Sequence, residues 1–171
     1  MAMTSVAKDL AKTGAVETRQ FLTFRLGEEL FGMDLAQTRE VIEFAGVTDV
    51  PLMPEFLRGV INLRGEVVAV IDLAVRLGRK PIEIKKRTCV VVVEINHEGS
   101  DFTLGLLADA VSEVTEIPDH QIEVAPAFGA KIRADFIEGI AKKDDQFIVI
   151  LNAEYTLSLK ELAKLVEAQF E

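Results

Sequence analysis

The stretch FLRGVINLRGEVVAVIDL, residues 56–73, returns eighty residues later as FIEGIAKKDDQFIVILNA, residues 136–153. Aligned without a gap, Phe56 matches Phe136 and Gly59 matches Gly139, and nine further positions exchange one apolar residue for another. Both copies predict two apolar strands joined by a short turn, a β-hairpin. In the first copy, residues 67–71 (VVAVI) form an apolar run with four β-branched members, which suits a strand covered on both faces. The turn does not repeat: Asn62, Leu63, Arg64 and Gly65 become Lys142, Lys143, Asp144 and Asp145. Gly65 permits the positive φ that a tight two-residue turn requires, and such a turn holds Arg64 outward. On physics alone an arginine there is an ordinary solvated residue. Its rigid fork of five donors also suits a partner's carboxylates or carbonyls.

Working outward, the same programme runs twice. Residues 1–18 are small, polar and mixed in charge, and read as a loose tail. Residues 19–35 alternate near period two around Gly27 and Glu28, predicting a hairpin. Residues 36–44 (AQTREVIEF) predict a short helix passing into a strand, and Pro51 and Pro54 mark a loop before the quoted hairpin. Residues 76–87 (RLGRKPIEIKKR) carry six basic residues against one acid and read as the connector between halves; such a run is commonly solvated, though it can hold an anion. Then TCVVVVEI (residues 88–95) and residues 102–107 predict a second hairpin. Glu113-Val114 echoes Glu40-Val41 seventy-three residues on, and a loop with Pro118 and Pro126 leads to the second copy. A duplicated small β-barrel explains this order, since closed strands hide their edges. At the end, Ser158 and Glu161 have capping-box spacing, and Leu159, Leu162, Ala163, Val166 and Phe170 form a helical stripe. The expected organisation is a tail at 1–18, paired barrels over 19–156 with halves near 19–78 and 88–156 between which strands can exchange, and a C-terminal helix at 157–171.

The chain has 171 residues, 49% of them apolar, and a net charge of −9. That balance argues against a broad nucleic-acid surface and, more weakly, against an anionic membrane surface. One cysteine, Cys89, excludes an internal disulfide framework. No apolar run suits a signal peptide or a membrane span, so a soluble intracellular protein is expected. Catalytic groups are scarce. His97 and His120 lie far apart in loops without ligands at metal spacing. Cys89 opens an apolar strand and reads as a small buried hydrophobe. None of the four serines lies in a nucleophile elbow, and no phosphate loop or dinucleotide fingerprint appears. The acidic pairs Glu28-Glu29 and Asp144-Asp145 fall in turns, where nothing raises a carboxylate pKa. No catalytic residue, metal site or cofactor is expected. What remains is surface for binding other proteins, by strand edges or a groove.

GVINLRGEVVAVIDL resembles the most diagnostic segment of the CheW family of chemotaxis adaptors. FLTFRLGEELFGMDL followed by REVIE resembles the start of that domain, and DAVSEV with FIEGIAKKDDQFIVILN resembles its second half. The likeness covers residues 19–156. It implies a mainly β fold: two five-stranded SH3-like β-barrel subdomains, here with a C-terminal α-helix. It implies a free-standing cytoplasmic adaptor at receptor arrays beneath the inner membrane. Its expected partners are the regulatory domain of the CheA histidine kinase and the cytoplasmic hairpin tip of chemoreceptors, with no nucleic acid and no membrane insertion. Residues matching the family's contact region are Leu35, Thr38 and Glu40, then Arg58, Gly59 and Arg64, with Arg64 foremost. Relatives often have Pro where Ala69 stands, a change expected to touch only a strand edge, and a basic or Pro residue where Asp49 stands. A different class remains open: a small-ligand-binding protein or enzyme using the groove between barrels.

Overall fold

The computed structural model describes residues 17–97, 99–124 and 136–157. The predicted tail and C-terminal helix lie, apart from their inner ends, outside the described residues. The strands are β1 (Thr18–Leu26), β2 (Glu29–Asp34), β3 (Thr38–Glu43), β4 (Leu57–Leu63), β5 (Glu66–Asp72), β6 (Cys89–His97), β7 (Ser100–Ala108), β8 (Ala110–Pro118), β9 (Ile122–Glu123), β10 (Ile137–Lys143) and β11 (Gln146–Leu151). They form two sheets, ordered β8-β1-β2-β11-β10-β9 and β3-β6-β7-β5-β4. The fold is mainly β, as two small SH3-like barrel subdomains. The predicted helix after Ala36 is confined to a 3-10 turn, Leu35–Gln37, because from Thr38 the chain is taken up by the ladder with β6.

The six-stranded sheet takes strands from both ends of the chain, and the five-stranded sheet is the continuous stretch between them, residues 38–108. The N-terminal pair β1–β2 joins β8, β10 and β11, while β6–β7 joins β3, β4 and β5. The two sheets have one plan. β5 runs parallel to β7 through Val70↔Gly105, and β11 runs parallel to β2 through Ile150↔Gly32. A bulge falls between Thr38 and Glu40 in β3, and a matching one sets Glu113 and Val111 of β8 against Thr23 and Phe24. The two-residue strand β9 has its counterpart in the bridge Thr48↔Val60. That crossing explains the repeated glycine. A Cβ on Gly59 would lie 2.5 Å from the Thr48 carbonyl oxygen, and one on Gly139 would lie 2.8 Å from that of Glu123. Only glycine lets the backbones pass so closely. Ala69 pairs with Val60 on one side and Leu104 on the other, so β5 is interior and the expectation of an edge position is corrected.

The main core draws Leu22, Phe24, Phe31 and Met33 from one sheet against Val70, Ile71, Val91 and Leu106 from the other. Phe21, Ile117, Ala141, Ile148 and Ile150 form a smaller second core. The repeated phenylalanines meet across one cation: the Arg76 guanidinium lies 4.8 Å from the Phe56 ring centroid and 4.9 Å from that of Phe136. Arg76 Nε also donates to the Thr156 carbonyl oxygen at 2.6 Å, tying the halves together. The first connector is anchored by Asp72, whose side chain is fully buried. Its carboxylate accepts from Arg58 Nη1 (2.8 Å), from the Ile82 N–H (3.0 Å) and from the Val75 N–H (3.3 Å), capping the helical turn Leu73–Arg76.

Candidate functional site

Arg64 and Gly65 both adopt positive φ, 52° and 87°, which makes the β4–β5 connection a tight two-residue turn. Asn62 Oδ1 accepts from the Gly65 N–H at 2.8 Å and locks it. The Arg64 side chain is 63% exposed, yet it is not a free fork. Its Nη2 donates to Glu40 Oε2, and that hydrogen bond, with the carboxylate's charge, raises the guanidinium pKa above its ordinary value. Beside it, Arg39 Nη1 approaches Glu66 Oε2 at 3.5 Å. These two pairs matter topologically. β3 and β4 are opposite edges of the five-stranded sheet, so the pairs run from one edge strand to the tip of the hairpin that carries the other. Below them lies an open seam of about 430 Å³ between Ile42–Thr48 and Val60–Asn62 backbones.

A bulge lies at Arg39, next to the Glu40–Arg64 pair. It shifts the ladder register with β6, while burial still alternates along β3: Glu40 is half-buried and reaches the turn, and Val41 faces solvent. Thr38 Oγ1 donates to the Asp34 carbonyl oxygen at 3.3 Å, and Leu35 packs partly against the main core at the entrance to β3. Leu35, Thr38, Glu40 and Arg64 therefore share the β3 side of the subdomain. Arg58 and Gly59 do not join them. They sit at the far end of β4, about 20 Å from the turn at ~3.3 Å per residue. Arg58 is spent on Asp72 and on the Ile82 carbonyl oxygen at 3.2 Å, and Gly59 is buried beneath Thr48. Residues 72–77 read as a helical turn from sequence, but neither Asp72 nor Arg76 was expected to hold the site's neighbourhood together. The available signal was an acid ending an apolar run ahead of LAVR, the pattern of a helical N-cap.

Among the described residues no three His, Cys, Asp or Glu side chains gather as a metal set. His120 is exposed in the 3-10 turn Asp119–Gln121. Cys89 is buried, and desolvation raises its thiol pKa. No helix among the described residues is long and apolar enough to cross a membrane.

The CheW-like domain model matches residues 20–161. A chemotaxis protein CheW of Klebsiella aerogenes is 29% identical over 150 residues, 88% of each chain. A probable chemotaxis protein CheW of Rhizobium etli is 33% identical over 143 residues, covering 84% of this chain and 90% of that one. Among solved structures, the scaffolding protein TtCheW of Thermoanaerobacter tengcongensis superposes with a TM-score of 0.74 at 38% identity, over 82% of this chain and 88% of that one. With the matched region spanning both sheets and the Asn62–Gly65 turn, the chain belongs to the CheW-like domain family of chemotaxis scaffolds.

Proposed function

We propose that this chain is a non-enzymatic adaptor that couples the cytoplasmic hairpin tip of chemoreceptors to the regulatory domain of the CheA histidine kinase, in the cytoplasm at arrays beneath the inner membrane. The observation that carries this reading is the match to the CheW-like domain over residues 20–161. The Glu40–Arg64 pair supports it: two charged side chains held in fixed register at an exposed hairpin tip. Arginine is enriched among interface hot spots, and a pre-positioned one loses less side-chain freedom on docking. Contact falls to Arg64, Glu40, Thr38 and Leu35, while Arg58 and Gly59 act through packing beneath the surface. Coupling works by geometry: the adaptor bridges two partners, and a change in the receptor shifts how the kinase packs.

Co-sedimentation with receptor–kinase assemblies tests this. Arg64→Glu sets two acids against each other at the tip, and is expected to weaken assembly while the thermal midpoint stays nearly unchanged. The double variant Arg64→Glu, Glu40→Arg restores the pair. Recovery assigns the role to the latch; continued loss assigns it to Arg64's own contact with a partner. Unaltered assembly and kinase control by the single variant would refute the site. A crosslinking map of intact arrays that finds only one partner on the adaptor would exclude bridging.

A further inference from the structure

The basic connector is the part of the molecule that neither the site nor the core absorbs. Its six cations and one acid contribute +5 to a chain of net −9, leaving −14 on the rest. All of these cations but Arg76 lie around a groove of about 680 Å³ where the turn after β1, the helical turn Leu73–Arg76 and the β7–β8 connection at Asp109 converge. Lys80, Lys85, Lys86 and Arg87 rim it, all exposed, and none of them makes an ion pair among the described residues; the two acids that also line it are Glu83 and Asp109, and Asp109 accepts from the Gly27 N–H at 2.6 Å. Arg79 is already committed, donating to Glu29 at 2.6 Å and lying over the Phe31 ring. Leu26 and Ile82, both buried, supply an apolar floor.

The backbone that carries these cations is fastened at both ends. Ile82 hangs from the buried Asp72 carboxylate through its N–H. The Lys85 N–H donates to Thr88 Oγ1 at 2.8 Å, and the Thr88 N–H returns to the Lys85 carbonyl oxygen at 3.2 Å. A merely solvated linker needs neither clamp. Holding like charges in one rim costs repulsion that an anionic occupant would relieve.

We infer that this groove is a docking site for an acidic peptide segment of a partner protein, separate from the Arg64 tip. Charge complementarity selects an anion. Concavity selects a narrow chain over an extended polyanionic surface. A membrane or a nucleic-acid duplex would bring its phosphates against the acidic remainder of the molecule, within a screening length of ~8 Å at physiological salt. A single extended segment touches the groove alone, its carboxylates meeting the rim ammonium and guanidinium groups and its aliphatic stems resting on the floor.

The test uses the full chain and labelled decaglutamate, followed by fluorescence anisotropy at low salt, with decaserine and phosphatidylserine-containing vesicles in parallel. Expected are saturable binding at least tenfold tighter than to decaserine, weakening as salt is raised, and amide shifts confined to Gly27 and residues 80–88. The variant Lys85→Glu, Lys86→Glu should lose at least tenfold, whereas Arg64→Glu stays within twofold. Both lysines are exposed and only the Lys85 backbone is bonded, so the fold should survive; Lys85→Ala, Lys86→Ala serves should the reversal fail to fold. Equal binding to decaserine, indifference to the lysine changes, shifts elsewhere, or binding to vesicles without binding to peptide would each overturn the proposal.

Discussion

At the tip of β4–β5 stand Arg64 and Gly65; at the tip of β10–β11, eighty residues on, stand Asp144 and Asp145, with φ of 50° and 63°. The two backbones turn alike although no turn residue is shared. Aspartate reaches the left-handed region at some cost because its short polar side chain can bond locally, and glycine reaches it freely. What each tip faces differs. The bulged strand of the first subdomain presents Glu40, and that of the second presents its counterpart Glu113. Arginine opposite glutamate forms a latch. In the second subdomain the matching positions are all acidic, and Glu113 makes no ion pair among the described residues. The valines beside the two glutamates are alike, Val41 at 41% and Val114 at 48% exposure. Duplication has thus held volume, ladder and bulge constant while the charge at one tip diverged. Residues bound by packing cannot drift, and residues facing water can.

The comparison breaks most severely where one copy has buried a charge. Asp72 stands where the second copy has Asn152, and both positions donate their N–H to the preceding phenylalanine, Phe56 at 2.6 Å and Phe136 at 2.8 Å. Importing the second copy's residue, Asp72→Asn, strips Arg58 of its counter-charge. A loss of about 3 kcal/mol is expected, the low end for breaking a buried pair because Arg58 is partly hydrated, and urea denaturation would read it. Next come the two glycines. Gly59→Ala and Gly139→Ala should each cost about 2 kcal/mol by forcing a methyl against a crossing backbone. Clearly unequal losses would show that the crossings are not equivalent.

Smaller still, and confined to alkaline pH, is a contrast between β6 and β1. Cys89 pairs with Glu43 and Ala108, the position that Gln20 holds in β1. Because burial raises the folded thiol pKa, the unfolded chain gives up its proton first, near 8.5. This contribution to stability is complete below that pH and is lost as pH rises toward the folded value. Denaturant midpoints should therefore fall with pH above ~8.5 in the native chain and flatten in Cys89→Ala. The smallest effect is a turn exchange: placing Asn-Leu-Arg-Gly at residues 142–145 should shift stability by no more than about 0.5 kcal/mol, since exposed turns carry little packing.

Much of the fold was legible because hairpins are local. The apolar period of residues 56–73 and the repeated Phe and Gly announce an element and its duplicate without any knowledge of neighbours. Sheet membership was not legible. Nothing near Phe21 says that its ladder partner is Thr115, because pairing across such a separation leaves no periodicity to read. The site was legible in pieces. Glu40 and Arg64 were both expected, but their mutual bond joins opposite edges of the sheet and is seen only once the sheet is assembled. Arg58 was named for its motif, and its duty toward Asp72 emerges only when β4 and β5 are laid side by side with the connector folded back over them.

The exchange of β1–β2 for β6–β7 sets the order in which the molecule can be made. During synthesis the opening hairpin leaves the ribosome long before β8, β10 and β11 exist to receive it, so Phe21 must wait for its core partners Ile117, Ala141, Ile148 and Ile150 until nearly the whole chain has emerged. Domains usually fold as units in order of emergence; here the five-stranded subdomain is one continuous stretch, residues 38–108, set inside the other, so its ladder can close before the sheet around it is complete. Long-range pairing slows the closing of the split sheet, and the core it shares with the inserted one couples the two subdomains.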